Sequence, residues 1–117
     1  MLETLPTKYL IRPLFNLIQT DLTNDDTSKV IDLLEGLGQL IRRYDVDELK
    51  EYKAALSKLL IQAIKHTDAT IRLLGYRNLA ILFGRFGTRL LENLKNQVDA
   101  EQARILQIYF ERESNAN

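Results

Sequence analysis

The stretch from residue 56 to residue 82 reads LSKLLIQAIKHTDATIRLLGYRNLAIL, and it decides the fold. Its apolar residues recur at helical spacing on both sides of a short polar turn that ends at Asp68, a residue type that caps helices. The pattern predicts two apolar-striped helices joined by a tight turn. Such a pair cannot bury both apolar faces alone, so we expect stacked neighbours, as in a helical repeat protein. Repeat proteins usually work by presenting a surface, which favours a binding module over an enzyme.

The composition predicts a single globular domain over residues 1–117. The 16 basic and 16 acidic residues give a formal net charge of zero. We therefore expect neither a nucleic-acid nor a membrane partner, because both usually demand a basic excess. The absence of cysteine excludes disulfides and thiolate metal sites. No apolar run is long enough to span a membrane and no signal-peptide pattern opens the sequence, so we expect a cytosolic or nuclear location.

Hydrophobic spacing along the chain predicts an all-α fold of six helices in three antiparallel pairs, at about residues 6–44, 45–86 and 88–113. Pro13 should kink the first helix or start a new segment, because proline removes a backbone donor and clashes with the preceding turn. Gly87 is expected to end the fourth helix in a left-handed conformation. The predicted helices cover residues 7–20, 27–44, 45–65, 69–86, a short segment that begins at Thr88, and a last helix that opens at 99–102.

Acidic residues mark several helix starts. Residues 45–48 and 99–102 both have the spacing of a capping box, in which an acidic cap is followed three positions later by Glu or Gln. Residues 21–26, DLTNDD, are interpreted as a turn with several possible caps. A calcium loop is the poorer interpretation, since its central glycine and final glutamate are absent.

An internal repeat appears when the sequence is offset by 42 residues. Asp26 then aligns with Asp68, and Leu37 with Leu79. The register is imperfect, since Val30 aligns with Arg72 in the same offset. A period of about 40–47 residues with two helices per unit is typical of HEAT-type repeats, and the shorter third unit is typical of a terminal cap.

Residues 68–75, DATIRLLG, resemble the HEAT pattern in which an aspartate ends the turn and a β-branched residue and an arginine begin the second helix. Asp68 would cap the helix, Arg72 could pair with turn carboxylates of neighbouring repeats, and Gly75 would let two helices approach closely. The resemblance implies a HEAT-like α-solenoid of three antiparallel helix pairs. It says more about the fold than about the function.

The closing residues, 90–112, resemble the last helices of TOG-type HEAT domains, and are most similar to the C-terminal domain of CLASP-family microtubule regulators. The resemblance implies a role at microtubule plus ends and kinetochores, in the cytoplasm, cytoskeleton and spindle, where this domain recruits partner proteins and contributes to dimerisation. A homodimer is therefore one expected state. TOG arrays that grip tubulin have more repeats and an aromatic residue at their first turn, where this chain has residues 22–26, LTNDD. This departure favours recruitment over tubulin binding.

Two groups of residues are candidates for contact with a protein partner. Lys65, His66 and Arg72, with Asn24 and Asp25, are predicted to line one edge of the array, where the turns of repeat proteins usually bind. Two of them have an alternative interpretation: Arg72 as a structural residue that pairs with carboxylates, and His66 as a solvated turn residue.

Tyr109 and Phe110 are adjacent on the last helix, so we expect one to pack inward and the other to be exposed, with partial burial against the fifth helix as the alternative. An exposed aromatic residue there, for which Phe110 is the candidate, would indicate an interface.

The sequence offers no catalytic, cofactor or metal site. His66 is the single histidine and has no cysteine or second histidine as a partner ligand. Gly36 and Gly38 lack a preceding strand and are interpreted as sites of close helix packing instead of a dinucleotide loop. We therefore expect a non-enzymatic protein-interaction domain of a CLASP-like regulator. The alternatives are a tubulin-binding TOG fragment and a generic HEAT scaffold segment of a larger complex.

Overall fold

The structure is a computed structural model that describes residues 8–24, 27–43, 46–86 and 96–115. All regular structure in these ranges is helical and no strand occurs in them, so the all-α prediction is confirmed. The elements are α1 (Lys8–Asn24), α2 (Thr27–Arg43), α3 (Val46–Leu49), a 3₁₀ turn (Lys50–Tyr52), α4 (Lys53–Ile64), α5 (Ala69–Phe86) and α6 (Ala100–Asn115).

The predicted bounds are most accurate for α5, which begins and ends where its apolar stripe does. The prediction of one continuous helix over residues 45–65 is wrong, because a 3₁₀ turn separates α3 from α4. Residues three apart eclipse each other in a 3₁₀ turn. This winding directs both Leu49, which is fully buried, and Tyr52, which packs against the core, to the same side.

The first helix is longer than predicted and runs through Pro13 to Asn24, so Pro13 does not start a new segment. Pro13 lies in the second turn, where a proline removes a single helical hydrogen bond. The predicted stop at Gly87, the short fifth helix that begins at Thr88, and the cap at Asp45 all lie outside the described residues.

The central helix is α5, which packs against α2, α4 and α6, while α1 packs mainly against α2. Two contacts give the direction of α4: Gly75 meets the end of α4 at Ile64, and the ammonium group of Lys53, at its start, lies 5.3 Å from the ring centroid of Phe86. The two helices therefore run in opposite directions, as expected of a pair joined by a four-residue turn.

The neighbours of α5 on its other sides run in the same direction as α5. Asn78 contacts Leu34 and, two turns further on, Arg85 contacts the backbone of Arg42, so α2 and α5 are parallel. Tyr76 lies near the carboxylates of Asp99 and Glu101 at the start of α6. Arg85 lines the same cleft as Glu113 near the end of α6, so α6 is parallel to α5 as well. As a result the starts of these helices share one edge of the molecule and their ends share the opposite edge.

Gly75 allows the close contact between α5 and α4. A Cβ atom at this position would lie 2.8 Å from Cγ2 of Ile64, closer than real Cβ contacts come, and 3.0 Å from its backbone nitrogen, which is tighter than most. The prediction that Gly75 serves helix approach is therefore confirmed.

Gly38 has the same role between α2 and α5, since a Cβ there would lie 2.6 Å from Oδ1 of Asn78. The packing prediction is wrong for Gly36, which is exposed and would have no atom within 4 Å of an added Cβ. Positions two apart lie on nearly opposite sides of a helix, so only one of the two glycines can face α5.

Asn78 is the polar contact inside this packing. Its side chain is 1% exposed, and Nδ2 donates a hydrogen bond to the backbone carbonyl of Leu34 at 2.7 Å. A buried amide without a partner is costly, so this bond fixes which turn of α2 faces Asn78.

We expect Gly75→Ala to lower the free energy of unfolding by about 1–3 kcal/mol, because the new methyl group overlaps the side chain of Ile64 and crowds its backbone nitrogen. The matched control, Gly36→Ala, should raise it by about 0.5–1 kcal/mol, because glycine inside a helix is entropically unfavourable and this site has room. Urea denaturation followed by circular dichroism measures both values. Equal effects of the two substitutions would contradict the close approach of α4 and α5.

A double-mutant cycle tests the contact between Gly38 and Asn78. Gly38→Ala should be destabilising in the natural chain and less so in an Asn78→Ala background, because the clash with Oδ1 is then removed. We expect a coupling energy of about 0.5–3 kcal/mol, the range found for residues in contact. Additive effects would show that the two residues do not touch.

Candidate protein-binding edge

The turn between α4 and α5, residues 65–68, is closed by hydrogen bonds from its own side chains. Oδ1 of Asp68 accepts from the backbone N–H of Ile71 at 3.0 Å, which confirms Asp68 as the cap of α5. Nδ1 of His66 accepts from the N–H of Asp68, also at 3.0 Å. His66 is also half-buried. It therefore helps to shape the turn, whereas the alternative interpretation was a solvated side chain.

Arg72 holds the same turn from the first part of α5. Its Nη1 donates to the carbonyls of His66 at 2.9 Å and of Thr67 at 2.7 Å. The pairing of Arg72 with carboxylates of neighbouring repeats stays a prediction, because Asp25 and Asp26 lie outside the described residues. Side chains on a helix point back toward its N-terminus, so Arg72 reaches the turn that precedes its own helix.

The structure brings three of the predicted contact residues together. Lys65 and His66 belong to the turn that Arg72 holds from α5, and of these three residues Lys65 is exposed while the other two are half-buried. Asn24 ends α1, but its side chain is not among those described, and Asp25 lies outside the described residues. The roles of Asn24 and Asp25 stay predictions.

The expectation that either Tyr109 or Phe110 is exposed is wrong, because both are half-buried against α5. Tyr109 stacks on Tyr76 with ring centroids 5.9 Å apart and an interplanar angle of 13°, and Phe110 meets the edge of Phe83 at 6.4 Å. Consecutive residues are about 100° apart around a helix, so the two rings contact α5 on both sides of the line where the helices meet. Phe110 therefore contributes to the packing of α6.

Tyr76 belongs to this region but was not singled out by the sequence pattern. It is 6% exposed, and the guanidinium of Arg112 lies 5.6 Å from the ring of its stacking partner, Tyr109. The one available signal was its spacing from Phe83: residues seven apart share a helix face.

The start of α6 lies close to Tyr76. Asp99 caps α6 by accepting from the N–H of Gln102 at 2.7 Å, while the Gln102 side chain accepts from the N–H of Asp99 at 3.0 Å, so the predicted capping box is confirmed.

Burial raises the pKa of the Tyr76 hydroxyl, and the carboxylates of Asp99 and Glu101 raise it further. Arg72 acts in the opposite direction. The turn edge, which we define as residues 65–72 and 99–101, thus carries both signs of charge.

The part of the chain that the structure describes contains no group of three or more His, Asp or Glu side chains that could hold a metal ion. None of the described helices is both long and apolar enough to cross a membrane. Comparisons with protein-family models, with curated proteins and with solved structures gave no match.

Tyr76 should ionise at a higher pH than an ordinary tyrosine. The folded state favours its neutral form, so the stability that this effect contributes is complete below the ordinary pKa of about 10 and is lost as the pH rises through the higher folded value. Tyrosinate absorbance during an alkaline titration measures this. Tyr76→Phe should remove a late-titrating component from the curve, and an unchanged late component would contradict the assignment.

Proposed function

We propose that this chain is a non-enzymatic protein-interaction domain built as a HEAT-like stack of helix pairs. The observation that carries the proposal is the parallel course of α2, α5 and α6, with α4 antiparallel to α5 beside them. In a stack of helix pairs, the second helices of successive pairs run side by side in one direction. Their turns then form a continuous edge that a protein partner can contact.

The turn edge is suited to binding because it is already ordered. His66 and Arg72 make three hydrogen bonds to the backbone of the turn, and Asp68 joins the turn to α5 through the N–H of Ile71. Lys65 lies on this ordered turn and is an exposed cation. A preorganised surface loses little conformational entropy on association, which favours affinity. Lys65 is therefore the residue that we expect to contact the partner.

The partner class comes from the resemblance of the closing helix to that of CLASP-like regulators. We propose that the domain recruits a microtubule plus-end or kinetochore adaptor in the cytoplasm and spindle. The exposed Lys65 also suits an acidic surface such as that of tubulin, so a tubulin-binding TOG fragment is the second candidate. A scaffold segment of a larger helical complex is the third.

Site-specific cross-linking tests the proposal, because the chain has no cysteine and a single introduced one is labelled uniquely. Lys65→Cys carries a photo-cross-linker into a mitotic cell extract, and Lys58→Cys, on an exposed position of α4 outside the turn edge, is the matched control. We expect a product with a plus-end or kinetochore protein from position 65 and none from position 58. Equal products from both positions, or a partner of another class, would contradict the proposal.

Size-exclusion chromatography with light scattering distinguishes the tubulin alternative. On the recruitment proposal, adding equimolar αβ-tubulin leaves the elution of the chain unchanged. Co-elution that Lys65→Glu abolishes and Lys58→Glu preserves would favour the TOG alternative instead. The mass of the chain alone reports whether it forms a homodimer.

A further inference from the structure

A cleft lies at the edge opposite the turn edge, where α2, α5 and α6 end. Its volume is about 250 Å³. Ile81, which is buried, forms an apolar part of the wall. Gly84 is exposed and contributes only its backbone. The remaining lining is charged and comes from three helices. We call this space the C-terminal cleft, and it is lined by Arg42, Ile81, Gly84, Arg85 and Glu113.

One carboxylate already occupies part of the cleft. Nη2 of Arg42 lies 2.9 Å from Oε1 of Glu113 and 3.0 Å from Oε2, so both carboxylate oxygens share one guanidinium nitrogen. The side chain of Arg42 is 41% exposed in this pair. The side chain of Glu113 is 17% exposed, so the pair is partly screened by solvent. A ligand carboxylate on Arg42 would restore the same charge pair that the loss of Glu113 removes, so the exchange costs little.

Arg85 fixes the backbone next to this pair. Its Nη1 donates a hydrogen bond to the carbonyl of Arg42, one of the last carbonyls of α2, which have no partner within their own helix. Arg85 thereby places a second guanidinium group in the cleft wall. Guanidinium groups bind planar carboxylates through several hydrogen bonds at once, which makes them the preferred partners of such groups.

The free space of the cleft limits the size of the ligand. Small-molecule sites usually measure about 300–1,000 Å³, so the C-terminal cleft is suited to a single side chain. An added Cβ at Gly84 would meet no atom within 4 Å, which leaves room for a peptide backbone to approach α5.

We propose that the C-terminal cleft binds a glutamate or aspartate side chain of an acidic peptide, whose carboxylate replaces that of Glu113 on Arg42. The Glu113 carboxylate thus competes with the ligand carboxylate for the guanidinium group of Arg42. The site is separate from the turn edge, and its failure would leave the proposed function of that edge untouched.

The test is a titration of the ¹⁵N-labelled chain with a hexaglutamate peptide at low ionic strength, followed by NMR chemical shifts. We expect shifts at Arg42, Ile81, Gly84 and Arg85, and none with hexaglutamine. Arg42→Gln should weaken binding at least about tenfold, because a charge-assisted pair is lost. Glu113→Gln should strengthen it by up to about fivefold, because the competing pair is removed.

Two substitutions at Gly84 separate blocking of the cleft from damage to the fold. Gly84→Trp should fill the space and abolish the shifts, while Gly84→Ala should keep them, and both variants should keep the helical circular dichroism spectrum. The proposal is overturned if Glu113→Gln weakens binding, if the shifts spread evenly over all basic residues, or if the peptide produces none. Larger shifts with inorganic phosphate at the same residues would overturn the assignment to a carboxylate.

Discussion

The described structure depends on the close approach of α5 to its neighbours. Gly75 admits α4 and Gly38 admits the side chain of Asn78, which then bonds to the backbone of Leu34. A methyl group at Gly75 would overlap the side chain of Ile64, and one at Gly38 would push the Asn78 amide away from its bond with Leu34. Because α5 packs against α2, α4 and α6, the positions of these three helices depend on their contacts with α5.

The parallel course of α2, α5 and α6 separates the molecule into two edges with different chemistry. Helix starts meet at the turn edge, where Asp68 and Asp99 satisfy free N–H groups and Arg72 holds the turn. Helix ends meet at the C-terminal cleft, where Arg42 and Arg85 lie among the final carbonyls. Cations at helix ends complement the dipole, so part of this arrangement is structural. Both proposed binding sites therefore depend on the order of these helix ends and starts.

Local rules were enough to predict much of the fold. The cap at Asp68, the close approach at Gly75 and the bounds of α5 depend on residues near in sequence, and they were predicted correctly. The 3₁₀ turn before α4 and the shared burial of Tyr109 and Phe110 depend on which helix lies opposite. The interaction of Arg72 with its own turn depends on the direction of one side chain. Hydrophobic spacing contains no information on the direction of a polar side chain, which is why the hydrogen bonds of Arg72 were not predicted while the helices were.

The measurement that tests the stacked arrangement most directly is the distance between spin labels on pairs of introduced cysteines. The labels would stand at exposed positions Ser28, Arg43 and Leu73, at the start of α2, the end of α2 and the start of α5. Parallel helices predict that the 43–73 distance exceeds the 28–73 distance by about 10 Å, since the two ends of α2 are about 20 Å apart along its axis. A 43–73 distance shorter than the 28–73 distance would mean that α2 and α5 are antiparallel. That result would contradict both the helix stack and the two edges that depend on it.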